Sequence, residues 1–541
     1  MAKLNKTVKT PAYTETSHKN YMDGNSWDIS NPFFKLRMVA ASSFFGEPKY
    51  YNEDGTINSN LFKDEYKDED DLKYLVKSLG EPIFKPQDEM EVQKQFEKLI
   101  DDCLDTDVEK TLQLAVDLRN VDLIRSTPQV ILVRAAMHKN SKGTGLIKKY
   151  ASQICQRGDE PACVISYLLS TYGKNTPIPN SIKKSLKEIL ESFNDYTISK
   201  YKMENNFVKT RDVVNLVHAF SPSIDKLMKG EAKQDKTWNS IVSNADKKEM
   251  TKKEIWTKAL DGMPHMALLR NLRNLIENDV DQKLYLDRLV KGVEGGKQLP
   301  FRYYSAYKAI HNIANGKILD TVEECLNESF KNAPHFAGKT MVLSDNSGSA
   351  WGALTSELGT MHVAEIGNLM AVMTARMSDE GEVGIFGDRL NVIPVRQKQS
   401  IFDILDKCSE AGKRIGTGTE NGIWLFFDDA IKNKKHYDNI FVYSDMQCGH
   451  GGLYGIDGKK NYEDYIWGGK NHSYAEYIDV PKLINKYRST VNPDVMVYLI
   501  QTAGYGDILV PEFFNKTFIL GGWSANIPLF AAKMSELFNQ K

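Results

Sequence analysis

The sequence predicts a two-part chain, an α-helical solenoid followed by a doubly wound α/β sheet, and three observations carry that reading. From about residue 72 to 333 the apolar positions keep helical spacing almost throughout, with no strand-like alternation. After Ala337 short apolar runs at 340–344, 382–386, 439–443, 494–500 and 517–520 alternate with helical stretches at 352–377, 400–412, 420–433, 474–487 and 524–538. That alternation is the signature of a parallel sheet wrapped by helices. At 541 residues the chain is also too long for a single core.

Residues 1–30 are polar and read as an arm laid on the surface, and the acidic stretch 47–71 reads as a loop. Candidate helices follow near 88–103, 106–119, 127–139, 145–157, 161–172, 181–193, 209–220, 252–261, 263–277, 281–291, 301–315 and 320–332. Short turns such as Ser126-Thr-Pro and Ser221-Pro-Ser separate them. Helices paired in this way, without a definable repeat, suggest a solenoid of HEAT or armadillo type whose curved surface is a binding platform.

Hydrophobic content of 41% and charged content of 26% are those of an ordinary globular protein. The net charge of −1 conceals an asymmetry: residues 181–273 hold eighteen Lys/Arg against twelve Asp/Glu. A polyanionic partner for one face is therefore compatible with the near-neutral total. Six scattered cysteines without a C-x-x-C pair read as reduced thiols in an intracellular, cytoplasmic protein. The start has no apolar core and no run of about eighteen apolar residues occurs, so neither secretion nor membrane insertion is expected. No G-x-G-x-x-G follows the first strand and no P-loop occurs, which disfavours nucleotide-binding α/β folds.

The stretch around Asp345 carries the clearest chemistry. A buried strand ends on Asp345, and the oxygen side chains of Ser347 and Ser349 alternate after it. A hydroxyl loop at 416–422 supplies Thr419, and a second strand ends on Asp445. In an open α/β sheet these loops gather at the carboxyl ends of the strands. Oxygen ligation with little formal charge suits Mg²⁺ or Mn²⁺ rather than Zn²⁺. A Gly-, Tyr- and Trp-rich insertion at 446–473 should border the site; its His450 and His472 read as polar surface.

Together Asp345, Ser347, Ser349, Thr419 and Asp445 resemble the metal-ion-dependent adhesion site of von Willebrand factor type A domains. The helical half carries a second resemblance. Met-Pro-His-Met-Ala-Leu-Leu-Arg-Asn-Leu at 263–272 is similar to a segment of TROVE domains, as in the Ro autoantigen family and its bacterial or phage-type members. Leu-Pro-Phe-Arg-Tyr-Tyr at 299–304, Ser-Lys-Tyr at 199–201 and the run from Arg211 to Pro222 resemble further stretches of that family. The boundaries expected are an arm over 1–30, a TROVE solenoid over 31–335 and a type A domain over 336–541.

The resemblance implies a monomeric ring of HEAT-like repeats closed by the type A domain, without catalytic activity. It implies small noncoding, Y-like RNA on the outer surface, single-stranded ends of misfolded RNA in the central hole, and a role in RNA quality control, in some cases with an exoribonuclease. Lys200 and His218 match its RNA-contacting positions, and Met203-Glu204 stand where the family usually has a basic residue. Lys202, Arg211, Arg270, Arg273, Arg134, His138 and Lys139 complete the candidate RNA contacts. A runner-up from another class is a protein-adhesion scaffold in which the metal takes a partner's carboxylate. A metal-dependent hydrolase is disfavoured, because both acids would be committed to the cation and no general base is evident.

Overall fold

A computed structural model of the chain describes residues 17–19, 25–27, 31–42, 89–122, 124–203, 208–232, 237–244, 249–330, 334–352, 362–416, 420–448, 478–502, 508–510, 514–523 and 527–532. The helical half stacks as alternate helices. Val108–Asn120 packs on Leu146–Ile154, which packs on Asn180–Ser192, which packs on Thr210–Val217. Beside that row Ser126–Met137 packs on Glu160–Tyr172. Each helix offers its row a stripe such as Ile182, Leu186, Ile189 and Leu190, spaced to one face and fully buried or nearly so. Side-chain caps start several helices, as where Asn194 accepts the Thr197 N–H at 2.9 Å.

The α/β half is a six-stranded sheet in the order β5-β4-β3-β6-β7-β8. These are β3 (Phe336–Asp345), β4 (Ser378–Phe386), β5 (Leu390–Val395), β6 (Asn439–Ser444), β7 (Met496–Gln501) and β8 (Thr517–Gly521). All pairs are parallel except β4 with β5. Central strands such as β6 and β7 are buried along their whole length, which is why they read as unbroken apolar runs rather than alternation. Helices Val363–Arg376 and Ile401–Gly412 cover one face, and Glu420–Lys432 and Val480–Thr490 the other. Strand β5 was not expected from the sequence. It is an antiparallel edge, mostly uncovered, and carries Pro394, which an edge tolerates.

The core divides elsewhere than the periodicity. One cluster of buried residues runs from Leu36 to Ala232. A second runs from Ala259 through the last solenoid helices into the sheet face of Val342, Phe441 and Tyr498. Tyr307 stacks on Phe402 at 3.8 Å between ring centroids, and Tyr304 stacks beside it. Glu323 accepts hydrogen bonds from Ser400 Oγ and from the Ile401 N–H at 2.5 Å, and so caps a helix of the α/β half from the solenoid.

At its other end the solenoid also reaches the sheet. Helix Pro32–Ser42 packs on Glu89–Thr106 and Val108–Asn120 and, through Met38, on β8. Gly521 permits this approach, since a Cβ there would lie 2.5 Å from Met38 Cγ. Residues 17–19 and 25–27 pair as the short strands β1 and β2. Trp27, 4% exposed, bridges to Ile508, so this part of the expected surface arm is anchored on the α/β half. The helical array thus touches the sheet domain at both ends, a closed circuit of contacts.

Candidate functional site

Two places in this fold gather the residues singled out from the sequence. The first is the carboxyl end of the sheet. The chain runs outward from β3 to β4 and β5 on one side, then returns to β6 and proceeds to β7 and β8 on the other. The strand order therefore reverses between β3 and β6, and a crevice opens outside their ends. Asp345 and the residue after β6, Asp445, flank it at 5% and 8% exposure.

Asp345 Oδ1 accepts the Ser347 N–H at 2.9 Å and its Oδ2 accepts the Ser444 hydroxyl at 2.7 Å. Ser347 Oγ lies 3.0 Å from Ser349 Oγ, which donates to Asp445 Oδ2 at 2.8 Å. Asp445 Oδ1 in turn accepts the Gln447 N–H at 3.1 Å. Four of the five expected ligands thus form one hydrogen-bonded chain, while Thr419, His450 and His472 lie outside the described residues. Among the described residues no three His, Cys, Asp or Glu side chains cluster, so a cation here would rest on two carboxylates and hydroxyls. That donor set fits Mg²⁺ or Mn²⁺ and leaves most of the coordination shell to water.

The second place is the basic side of the solenoid. Lys200 ends helix Asp195–Lys200, half-buried, with Nζ 5.4 Å from the ring centroids of both Tyr196 and Tyr201. Arg211 and Lys202 are half-buried nearby. His218 is exposed and holds φ 53° at the end of helix Thr210–Val217. Beside these lie two exposed aromatics that the sequence reading passed over, Tyr196 at 47% and Phe220 at 72%. The signal was present in the helical spacing of Tyr196 and Lys200 and in the adjacency of Phe220 to the His218 turn.

Further along, Arg270 and Arg273 are exposed, and Arg273 pairs with Glu277 at 2.8 Å. Arg302 also proves relevant: it is exposed, and burial of its surroundings together with the nearby Arg270 cation depresses its pKa. Among the described residues neither Arg270 nor Arg302 has a carboxylate partner. Two unneutralised guanidinium groups set close together repel each other and gain from any phosphate placed between them.

Arg134, His138 and Lys139 are placed differently. Arg134 faces inward, 11% exposed, pairing with Glu97 at 3.0 Å and with Asp101 at 2.9 Å through Nε, and reaching Tyr167 Oη at 3.3 Å. His138 and Lys139 share Asp105, each at 3.4 Å. A phosphate at Arg134 would have to displace two carboxylates, so its geometry is that of an internal brace.

His265, in the segment 263–272, is half-buried, with Nε2 2.9 Å from Tyr303 Oη and Nδ1 buried without a hydrogen bond. Gly292 gives the ring room, since a Cβ there would lie 2.5 Å from Nδ1. Burial depresses its pKa below 6.5. The neutral imidazole is favoured by folding, so its contribution is complete above the unfolded value and is lost as pH falls through it. Melting temperature should drop between about pH 7 and 5. His265→Gln should flatten that drop; an unchanged profile would show that the ring does not govern it.

Comparison with known proteins agrees with this architecture. Residues 224–335 match the TROVE domain family. The fold is similar to the crystal structure of the Ro (Rsr) protein of Deinococcus radiodurans, with a TM-score of 0.50 and 11% identity over 81% of this chain and 93% of that one. No curated protein matches the chain. Among the described residues no helix is long and apolar enough to cross a membrane. The chain thus carries a TROVE-domain match over its last solenoid helices and shares the fold of the Deinococcus Ro protein over most of its length.

Proposed function

We propose that the chain is an RNA-binding protein that takes a structured small RNA on the face of Lys200 and His218, and single-stranded RNA at Arg270 and Arg302. The observation that carries this reading is the unneutralised Arg270–Arg302 pair, supported by exposed Tyr196 and Phe220 beside the Lys200 face. Cations flanked by exposed aromatics suit phosphates and unstacked bases together. The finer reading rests on the family resemblance: a Y-like RNA, a role in RNA quality control and an exoribonuclease partner. Mg²⁺ or Mn²⁺ at Asp345, Ser347, Ser349, Thr419 and Asp445 belongs to the same proposal.

Gel-shift titration at two salt concentrations tests it. Each cation removed should delete about one phosphate contact and lower the salt slope by about one. Lys200→Ala with His218→Ala should weaken a structured RNA more than a single-stranded tail, and Arg270→Ala with Arg302→Ala the reverse. Equal losses for both RNAs in both variants would leave one nonspecific basic patch.

The chain acts here by binding rather than by catalysis. Labelled RNA should stay intact with purified protein and Mg²⁺; cleavage that vanished in Asp445→Ala would reverse this reading. The crevice between β3 and β6 favours a second, compatible reading, a metal whose open position takes a protein carboxylate. That partner would require divalent metal, whereas RNA binding would respond chiefly to salt.

A further inference from the structure

Asn346 stands between two of the expected metal ligands, Asp345 and Ser347, yet its side chain turns away from them into the protein. There it meets Asn368, in the middle of helix Val363–Arg376. Asn346 Nδ2 donates to Asn368 Oδ1 at 2.8 Å, and Asn368 Nδ2 donates back to Asn346 Oδ1 at 3.0 Å. The two amides so close a ring of paired hydrogen bonds. Ser344 joins it from β3, its hydroxyl donating to Asn368 Oδ1 at 2.8 Å and its carbonyl accepting from Asn346 Nδ2 at 3.1 Å.

This is a costly place for amides. Every residue of the helix before Arg376 is buried, and Asn346 and Asn368 are 1% and 0% exposed. A pair of apolar side chains would fill the space without desolvating two amides. What the amides supply is direction, because a satisfied buried network permits one arrangement where apolar contact permits several. Asn346 is held from two further sides. Its N–H donates to the Phe386 carbonyl at the end of β4, at 2.7 Å, and Gly412 closes over its Oδ1, where a Cβ would collide. The bond from the Ser347 N–H to Asp345 Oδ1 then arches over a residue pinned to β4 and to two helices.

We propose that the Asn346–Asn368 pair is the positioning device of the metal crevice, holding Asp345 and Ser347 at the spacing that a small divalent cation requires. Neither amide touches the cation; each acts through the two ligands beside Asn346. Mg²⁺ demands near-ideal octahedral geometry, whereas Ca²⁺ accepts a looser and more variable shell. The pair therefore sets selectivity as well as affinity. This inference rests on the metal reading given above.

Asn346→Ala with Asn368→Val removes both amides and keeps the space filled, and Ser344→Ala in the same protein leaves no hydroxyl stranded. Calorimetric titration of the full-length chain with Mg²⁺ and with Ca²⁺ reads affinity, and melting of the metal-free proteins reads the fold. Melting should stay close to wild type. Mg²⁺ affinity should fall about tenfold or more, the loss typical when a group behind the ligands is removed. Ca²⁺ affinity should fall less, so that the ratio between the two cations shifts toward Ca²⁺. Gly412→Ala pushes on Asn346 Oδ1 while leaving both amides in place. It should shift the same ratio, and it decides the question should the triple variant melt far lower. Wild-type Mg²⁺ affinity in these variants, whatever their melting, overturns the proposal. Equal losses for Mg²⁺ and Ca²⁺ overturn it as well, since they reduce the pair to general support of the loop. Failure of the wild-type chain to bind either cation overturns the metal reading itself, and this inference with it.

Discussion

Arg134→Ala should destabilise the solenoid half by about 3 kcal/mol, the lower end of what breaking a buried ion pair costs. The guanidinium is opposed by burial, yet its hydrogen bonds with Asp101 and Tyr167 outweigh that and hold its pKa above the ordinary value. Removing it strands Glu97, 13% exposed, while Asp101 at 39% recovers part of its loss from water, hence the lower end. Tyr167, whose phenol burial pushes up to about 12, keeps its proton for Glu97 at 2.8 Å and cannot replace the cation. Arg134→Lys should recover only part, because a point charge does not span two carboxylates and a phenol. Arg134→Met with Glu97→Gln and Asp101→Asn should come back most of the way. Chemical denaturation followed by helical circular dichroism reads all three. Wild-type stability in Arg134→Ala together with weakened RNA binding would return Arg134 to the RNA surface.

That brace shows where sequence reading stops. A cation in a predicted helix was visible at 134, but its carboxylates, Asp101 and Glu97, lie 33 and 37 residues earlier on another helix, and only packing brings them together. The division into solenoid and α/β sheet was legible because period 3.6 gives way to short buried runs at residue 336. Strand β5 was not, since an edge with an uncovered face and a proline has neither an apolar run nor a clean alternation. The break in the core between Ala232 and Ala259 left no mark either, because both sides are helical and only the partners of their apolar faces differ. At the acid crevice the two strand-end carboxylates were readable as motif and position. The hydrogen-bonded link through Ser347 and Ser349 was not, nor was the reversal of strand order that sets β3 beside β6.

Asp345→Asn should lower Mg²⁺ and Mn²⁺ affinity by more than about 100-fold, beyond the loss typical of a merely supporting residue. With Ser347 and Ser349 neutral, attraction for the cation rests on two carboxylates, and halving that charge removes most of it. Asn is the informative substitution because Asp345 also holds local structure. Its Oδ1 accepts the Ser347 N–H and its Oδ2 the Ser444 hydroxyl, and both oxygens are buried. Ala would leave two donors unsatisfied, at about 1–3 kcal/mol each, and metal loss could then follow from a collapsed loop. Asn keeps an acceptor for Ser347 and lets the Ser444 hydroxyl rotate to accept from the new amide, so charge is changed with little else. Calorimetric titration of wild type and variant with each metal reads the affinity, and unchanged melting of the metal-free proteins verifies the fold. RNA binding should be nearly the same in both, since the Lys200 and Arg270 faces lie on the solenoid. Equal heats for the two proteins would remove the metal from this crevice. Metal affinity and RNA affinity falling together would instead tie the crevice to RNA.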